Sequence, residues 1–352
     1  MLSRSSTVQY SQDSTHSQDS NHSQKSSIMD QIRWGLIGCG SVSRSRVARA
    51  ILDDPRSQLV AACRRNETEL ASFCESFDIE RAYTNVDELV ADVEVDAVYI
   101  ATPVCEHLPQ TLAAAQAGKH VLVEKPMGMS VIECDRMIAA CQQAKVKLGV
   151  AYYRRFYPIV HRIKELLRNG ELGTVMAVSV ATATTPATLP GQEGYWRLIP
   201  GEGGGGALMD IGSHRINILL HLFGEVADIT AVCDRRAADY AVEDTAVLLL
   251  RFQSGLAGTL QCHFGCSTDP DEFAVLGTRA RLVARPLNGD QLIIESDGER
   301  RSERHPPPDN LCGPLVADFV AAILEHRAPT VSGEEGRATN LVIERAYHAA
   351  TA

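Results

Sequence analysis

Aromatic residues are scarce in this 352-residue chain, at 5%. Its core must be filled by aliphatic side chains, and Ala, Val, Leu and Ile are plentiful, a composition that suits helices packed on a parallel sheet. Positive charge is outweighed: 34 Lys and Arg face 44 Asp and Glu, for a formal charge of −10. That balance argues against nucleic acid and against an anionic membrane as partners. No apolar run approaches the length of a membrane span. No C-x-x-C pair occurs among the ten cysteines, which are scattered and often sit in apolar runs such as "LIGCG" and "VAAC". Such cysteines read as reduced, buried small hydrophobes of a cytoplasmic protein. "CHFGC" (Cys262 to Cys266) brings only His263 and no second ligand pair, so no metal site is expected. What remains, 45% hydrophobic residues over this length, is enough for a large core and two or three domains.

Residues 1–28 have almost nothing apolar to bury ("SQDSTHSQDSNHSQKSS"). The composition predicts a disordered tail without the apolar core of a signal peptide, and folded chain from about Met29. From Ile32, apolar runs ("IRWGLIGCG", "SQLVAAC", "VDAVYIAT", "KHVLVEK", "VKLGVAYY") alternate with helical spacing ("SRSRVARAIL", "DELVADV", "LPQTLAAAQAG", "VIECDRMIAACQQAK"). This alternation predicts right-handed βαβ units and a Rossmann-type, doubly wound parallel sheet over 29–151. Residues 152–352 read differently. Seven candidate strands, "VMAVSVATATT" to "DQLIIES", follow one another with few helices between them, which predicts an α+β domain with a large, mostly antiparallel open sheet flanked by helices. The tail "GEEGRATNLVIERAYHAA" is a candidate to pack back on the first domain.

"GLIGCGSVSRSRVARAI" places Gly38-x-Gly40-x-x-Ser43 between a strand and a helix. Glycines there allow a tight turn and bring backbone N–H groups to a pyrophosphate at a helix N-terminus. The third position is Ser43, a small residue that departs from the usual Gly or Ala. About twenty residues on, an NAD site would place an acid against the adenosine ribose. Here the strand ends "AACRRNE", with Arg64 and Arg65. A guanidinium fork suits a 2′-phosphate, so NADP is expected in preference to NAD, unless the two arginines point to solvent.

With these residues in view, the chain after Met29 resembles the glucose–fructose oxidoreductase and inositol dehydrogenase (Gfo/Idh/MocA) family. "ATPVCEHLPQTLAAAQAGKHVLVEKP" is similar to its T-P-x-x-x-H and A-G-K-H-V-x-x-E-K-P patterns. "AYYRRFYP" and "YWRLIPGEGGGGALMDIGSHRINILLHLFG" resemble the family's segment after the sixth strand and its W-R and G-G-G-x-L-x-D-x-G-x-H stretch. "TVSGEEGRATNLVIERAY" resembles its C-terminal tail. Val104, Asn217 and Cys312 depart from the residues frequent at their positions.

The resemblance implies a nicotinamide-dependent oxidoreductase of sugars, polyols or related carbonyl compounds, a homodimer or homotetramer through the open sheet. It implies Lys125, Asp210 and His214 as the catalytic set. Lys125 follows an apolar strand in "LVEKP", and local sequence alone reads it equally as the solvated end of that strand. The ends of parallel strands are also where ligands bind and where a lysine can donate to a developing alkoxide. Asp210 and His214 are four apart, so a helix would place them on one face. On spacing alone they read first as a helix cap and a packed histidine; the resemblance makes His214 the acid/base. Ser41, Val42, Thr102, Pro103, His107, Glu124, Arg154, Trp196 and Arg197 join Gly38, Gly40, Arg64, Arg65 and Lys125 on the cofactor side by the same resemblance. Glu124 is alternatively a partner that orients Lys125. Tyr153, Arg155 and Asn217, with Lys125, Asp210 and His214, are expected to line the substrate pocket. Two other readings stay open: a glycosidase using transient oxidation by bound NAD, and a non-enzymatic NADP-binding sensor.

Overall fold

The protein is described from a computed structural model covering residues 31–186, 189–237, 239 and 241–351. The tail expected at 1–28 lies outside the described residues. The first sheet contains β1 (Ile32–Ile37), β2 (Ser57–Cys63), β3 (Arg81–Tyr83), β4 (Ala97–Ile100), β5 (His120–Val123) and β6 (Leu148–Val150). Its order is β3-β2-β1-β4-β5-β6, all parallel. The connecting helices are α1 (Ala48–Asp53), α2 (Glu67–Phe77), α3 (Val86–Ala91), α4 (His107–Gln116) and α5 (Val131–Gln143). β4 is buried at every residue, as a strand covered by helices on both faces must be. Just past the Lys125-Pro126 turn, Ser130 and Glu133 start α5 with reciprocal caps: Glu133 N donates to Ser130 Oγ (3.3 Å), and Met129 N donates to Glu133 Oε2 (2.8 Å).

The second sheet holds eight strands in the order β14-β13-β12-β11-β7-β10-β9-β8. They are β7 (Val175–Thr184), β8 (Val226–Asp234), β9 (Thr245–Phe252), β10 (Ala257–Phe264), β11 (Glu272–Gly277), β12 (Arg281–Ala284), β13 (Gln291–Ser296) and β14 (Glu299–Arg304). Only the β7–β10 pair is parallel. Strand alternation is strict in β9, where Ala246, Leu248, Leu250 and Phe252 are buried and Val247 and Leu249 face outward. The helices of this half are α6 (Pro158–Arg168), α7 (Pro200–Gly203), α8 (Ser213–Phe223), α9 (Gly313–Leu324) and α10 (Gly333–Thr351).

Two strands escape the sequence reading. β3 is three residues long and half open to solvent, and β14 ("ERRSER") is a charged edge strand. Neither has a buried face to give it a pattern, and charge on an edge is a means of keeping it from pairing further.

The last two helices return to the first domain. Phe319 of α9 packs on Trp34 of β1 (centroids 5.7 Å apart), and Val150 N donates to Val331 O at the β6 edge. From α10, Asn340 Nδ2 donates to Gly128 O (2.7 Å) and Glu344 accepts from Val131 N (3.0 Å). The C-terminal helix therefore clamps the segment that follows Lys125. All ten cysteines are free thiols, and most are buried. Among the described residues no helix is long and apolar enough to cross a membrane.

Candidate active site

Two adjoining cavities open at the C-terminal ends of β1, β2, β4 and β5. The larger, about 930 Å³, is lined by Gly38, Gly40, Ser41, Val42, Arg64, Arg65, Thr102, Pro103, Trp196 and Arg197. Gly38 has φ +92°, and a Cβ there would meet the Ala101 carbonyl at 2.7 Å, so the turn accepts glycine alone. Ser43, the departure from the glycine pattern, is fully buried and ties the turn together by donating from Oγ to Gly38 O (2.6 Å). Beyond it a π-helical turn, Ser43–Val47, leads into α1. Ser41 N donates to the carboxylate of Glu193, so an anionic oxygen already rests on this loop. That is the charge and position a dinucleotide's pyrophosphate requires, and the loop fits one. At the end of β2, Arg64 Nη1 donates to Cys39 O (2.6 Å) while the same guanidinium pairs with Glu69.

The smaller cavity, about 330 Å³, holds Glu124, Lys125, Tyr153, Arg154, Asp210 and His214. It shares Val42, Ala101, Thr102, Trp196 and Arg197 with the larger one. Lys125, delivered by β5, donates from Nζ to Asp210 Oδ1 (2.7 Å) and to Asp210 O (3.2 Å). Asp210 lies in a π-helical turn, Leu208–Gly212, which rests on β7 and β10 and runs into α8. Arg197 Nε is 3.5 Å from the same carboxylate. Burial pushes the Asp210 carboxyl up, but Lys125 and then Arg197 outweigh it and hold it down at about 2. Asp210 is thus an anion at neutral pH. His214 is buried edge-on against Tyr152 (5.9 Å) and Tyr153 (5.2 Å). Burial first, then the cations Arg154, Lys125, Arg215 and Arg46, lower its imidazole well below the ordinary range. The ring is neutral at neutral pH and is available to take a proton. Glu124 accepts from Tyr99 Oη (2.8 Å) and from the Lys125 backbone N (3.1 Å), so it steadies the lysine's backbone rather than its ammonium.

Three expected site residues line neither cavity. His107 is buried between strand ends, with Nδ1 3.1 Å from Pro126 O and Nε2 3.0 Å from Thr102 O. It braces the turn after Lys125 from behind. Arg155 follows Arg154 in a tight 3-10 turn that points successive side chains in different directions, and it pairs with Glu335 of α10 (2.6 Å). Asn217 faces α10 as well, donating to Thr339 Oγ1 (3.2 Å).

Other residues were not singled out from sequence. Arg46 lines the smaller cavity from the π-helical turn Ser43–Val47. Its distance from the rest of the pocket in sequence left no local signal. Glu193 covers the glycine loop from a 152-residue separation. Glu243 accepts from Gly206 N (2.8 Å), Leu208 N (3.0 Å) and Tyr347 Oη (2.8 Å), and so fixes the start of the segment carrying Asp210. An acid in the turn before a strand has no pattern that announces such a role.

Comparison with known proteins agrees with this architecture. Residues 32–152 match the oxidoreductase family described as having an NAD-binding Rossmann fold, and residues 160–283 match the GFO/IDH/MocA C-terminal domain. The chain is 32% identical over 308 residues to oxidoreductase P35 of Formosa agariphila, covering 87% of this chain and 95% of the relative. It is 32% identical over 325 residues to 1,5-anhydro-D-fructose reductase of Ensifer adhaerens, covering 89% and 96%. Among solved structures, aldose-aldose oxidoreductase from Caulobacter crescentus, complexed with glycerol, superposes with a TM-score of 0.84 at 30% identity, covering 91% of this chain and 98% of that one. With both domains matched and nearly the whole of each relative spanned, the chain belongs to the GFO/IDH/MocA family of nicotinamide-nucleotide oxidoreductases.

Proposed function

We propose that the protein is an NADP(H)-dependent oxidoreductase that moves a hydride between the nicotinamide and a sugar, polyol or related hydroxy or keto compound. The observation that carries this reading is the meeting of Lys125, Asp210 and His214 in one small cavity that shares a wall with the glycine-loop cavity. The relatives' names, a reductase of 1,5-anhydro-D-fructose and an aldose–aldose oxidoreductase, point to the same substrate class. Gly38, Gly40, Ser41 and Val42 would hold the pyrophosphate, and Trp196 and Arg197 would flank the passage to the smaller cavity. When bound, the cofactor supplies a hydride acceptor or donor. In oxidation the neutral His214 takes the hydroxyl proton, while Lys125 donates a hydrogen bond to the reacting oxygen and Asp210 holds the ammonium in place. In reduction the proton takes the reverse route, which requires His214 to be protonated first and is therefore favoured at acid pH.

The arginine pair at the end of β2 supports NADP over NAD, since the two residues directly after Cys63 are arginines and not an acid. A screen of sugars, inositols and keto-sugars with both nicotinamide cofactors, read at the reduced cofactor's absorbance, tests both statements. Turnover above a Lys125→Ala/His214→Ala control is expected. The substitution Arg64→Asp is expected to lower NADP affinity relative to NAD by roughly tenfold or more. No turnover above the control sinks the dehydrogenase reading, and an unchanged affinity ratio sinks the NADP preference.

We also propose that the protein assembles as a dimer or tetramer through the outer face of the second sheet. Val232, Val247, Leu249 and Leu276 are 59%, 39%, 55% and 50% exposed there, and Val232 lies directly opposite Val247 in register. Exposed apolar side chains grouped on a sheet face, as Val232, Val247 and Leu249 are on neighbouring β8 and β9, favour an interface. Sedimentation velocity at micromolar protein is expected to show an oligomer that Leu249→Glu dissociates. A wild-type monomer, or an oligomer indifferent to the substitution, would contradict this assembly.

A further inference from the structure

Resting on the dehydrogenase reading, we infer that the substrate carries an anionic group, a carboxylate or a phosphate ester on a sugar or polyol, held by Arg46 and Arg154. The walls of the smaller cavity carry four cations, Arg46, Lys125, Arg154 and Arg197, against two carboxylates, Glu124 and Asp210, so 4 − 2 leaves an excess of two positive charges. Lys125 and Arg197 are accounted for, at 2.7 and 3.5 Å from Asp210. Glu124 accepts from the neutral Tyr99 Oη and a backbone N–H and acts on Arg46 electrostatically, but not from ion-pair distance. Arg46 and Arg154 are the remainder.

Both have neutral side-chain partners only. Arg46 Nη1 donates to Tyr153 Oη (2.9 Å), and Arg154 Nε donates to Asn288 Oδ1 (2.6 Å). Their guanidinium carbons lie 5.5 and 4.9 Å from the centre of the same Tyr153 ring. Among the described residues no carboxylate lies within ion-pair distance of either. Arg154 also has a buried Nη1 without a hydrogen-bond partner. The two buried arginines among the described residues each have a carboxylate: Arg155 pairs with Glu335 and Arg215 with Asp271. Both guanidinium groups are half-buried, so water screens them only in part, and two of them on one cavity without a carboxylate at ion-pair distance define a place for an anion.

The cofactor's phosphates do not meet that need. Their place is the glycine loop in the larger cavity, which neither Arg46 nor Arg154 lines. The charge therefore belongs to the second ligand. At about 330 Å³ the cavity suits a small compound. A planar guanidinium binds a carboxylate or a phosphate in two-point fashion, and both of these groups are held at the same tyrosine.

The test is an equilibrium titration of the protein with reduced cofactor bound, followed by cofactor fluorescence. The panel consists of aldonates, uronates and sugar phosphates of four to six carbons beside the matching alditols and aldoses. At least one anionic class is expected to bind about tenfold or more tighter than its neutral counterparts, as for a hydrogen bond to a charged group. The substitution Arg46→Met is expected to abolish that ratio and Arg46→Lys to keep part of it, with Arg154→Met as an independent second variant. Because the ratio is taken within each variant, a general loss of stability does not imitate the effect. Neutral compounds binding as tightly as acids, or an acid preference that survives both methionine variants, would overturn the inference. Turnover is read separately: turnover of neutral compounds alone overturns the anion site and keeps the dehydrogenase, whereas tight acid binding without turnover keeps the anion site and counts against the dehydrogenase.

Discussion

Replacing Lys125 with alanine is expected to lower kcat by about 10³-fold, the upper end of what removal of one preorganised donor to a developing oxyanion costs. The loss has two sources. The reacting oxygen loses its hydrogen-bond donor, and Asp210 keeps Arg197, at 3.5 Å, as its ion-pair partner. Both side chains of the pair are mostly shielded, at 13% and 18% exposure, so water replaces the ammonium poorly. Folding stability is expected to fall by only about 1–3 kcal/mol, the usual cost of leaving one polar group without its partner. Reduced-cofactor fluorescence titration separates catalysis from binding, because the glycine loop lies in the other cavity. A variant with kcat within threefold of wild type would remove Lys125 from the chemistry and with it the reason for the cavity's arrangement.

Placing a methyl group on Gly206 is expected to cost about 3 kcal/mol of stability and about 10²-fold in kcat. A Cβ at this position would stand 1.8 Å from the backbone oxygen of Glu243. That contact is with main chain, so no rotamer change relieves it. The connection between β8 and β9 must retreat, and the clamp on the segment carrying Asp210 retreats with it. That clamp comprises the Glu243 carboxylate accepting from Gly206 and Leu208, and Ala207 N donating to Glu243 O (3.1 Å). Asp210 follows two residues after Leu208, so its carboxylate moves relative to Lys125, and reacting geometry tolerates little displacement. Gly201, in the same glycine run but with nothing within 4 Å of an added Cβ, is the control, and Gly201→Ala is expected to be nearly neutral. Thermal unfolding and steady-state rates on the two variants give the comparison. Equal melting temperatures and equal kcat for both would show that the contact at Gly206 does not govern the site.

The first domain was legible because its signals are local. A strand buried on both faces is a continuous apolar run, as in "AVYI" of β4, and the glycine turn announces itself by residue type. The second domain was legible as an open sheet because β9 and β10 alternate with period two. β3 and β14 were not, since a strand with no buried face carries no hydrophobic pattern.

By itself, then, the sequence determined the two kinds of sheet, the glycine loop and the family resemblance, and only through that resemblance did it single out Lys125, Asp210 and His214. Tertiary structure alone decided which polar residues share a cavity. Arg154 and Arg155 are neighbours of identical type, yet one faces the pocket and the other a glutamate on α10, because a single residue's rotation in a tight turn redirects the side chain. His107 and Asn217 were drawn away to brace backbone and helix, while Arg46, Glu193 and Glu243 were brought in from remote positions. Charge balance in a cavity is a sum over such residues, and that sum exists only once the chain has folded, since hydrophobic periodicity reports which face is buried and not which polar groups meet behind it.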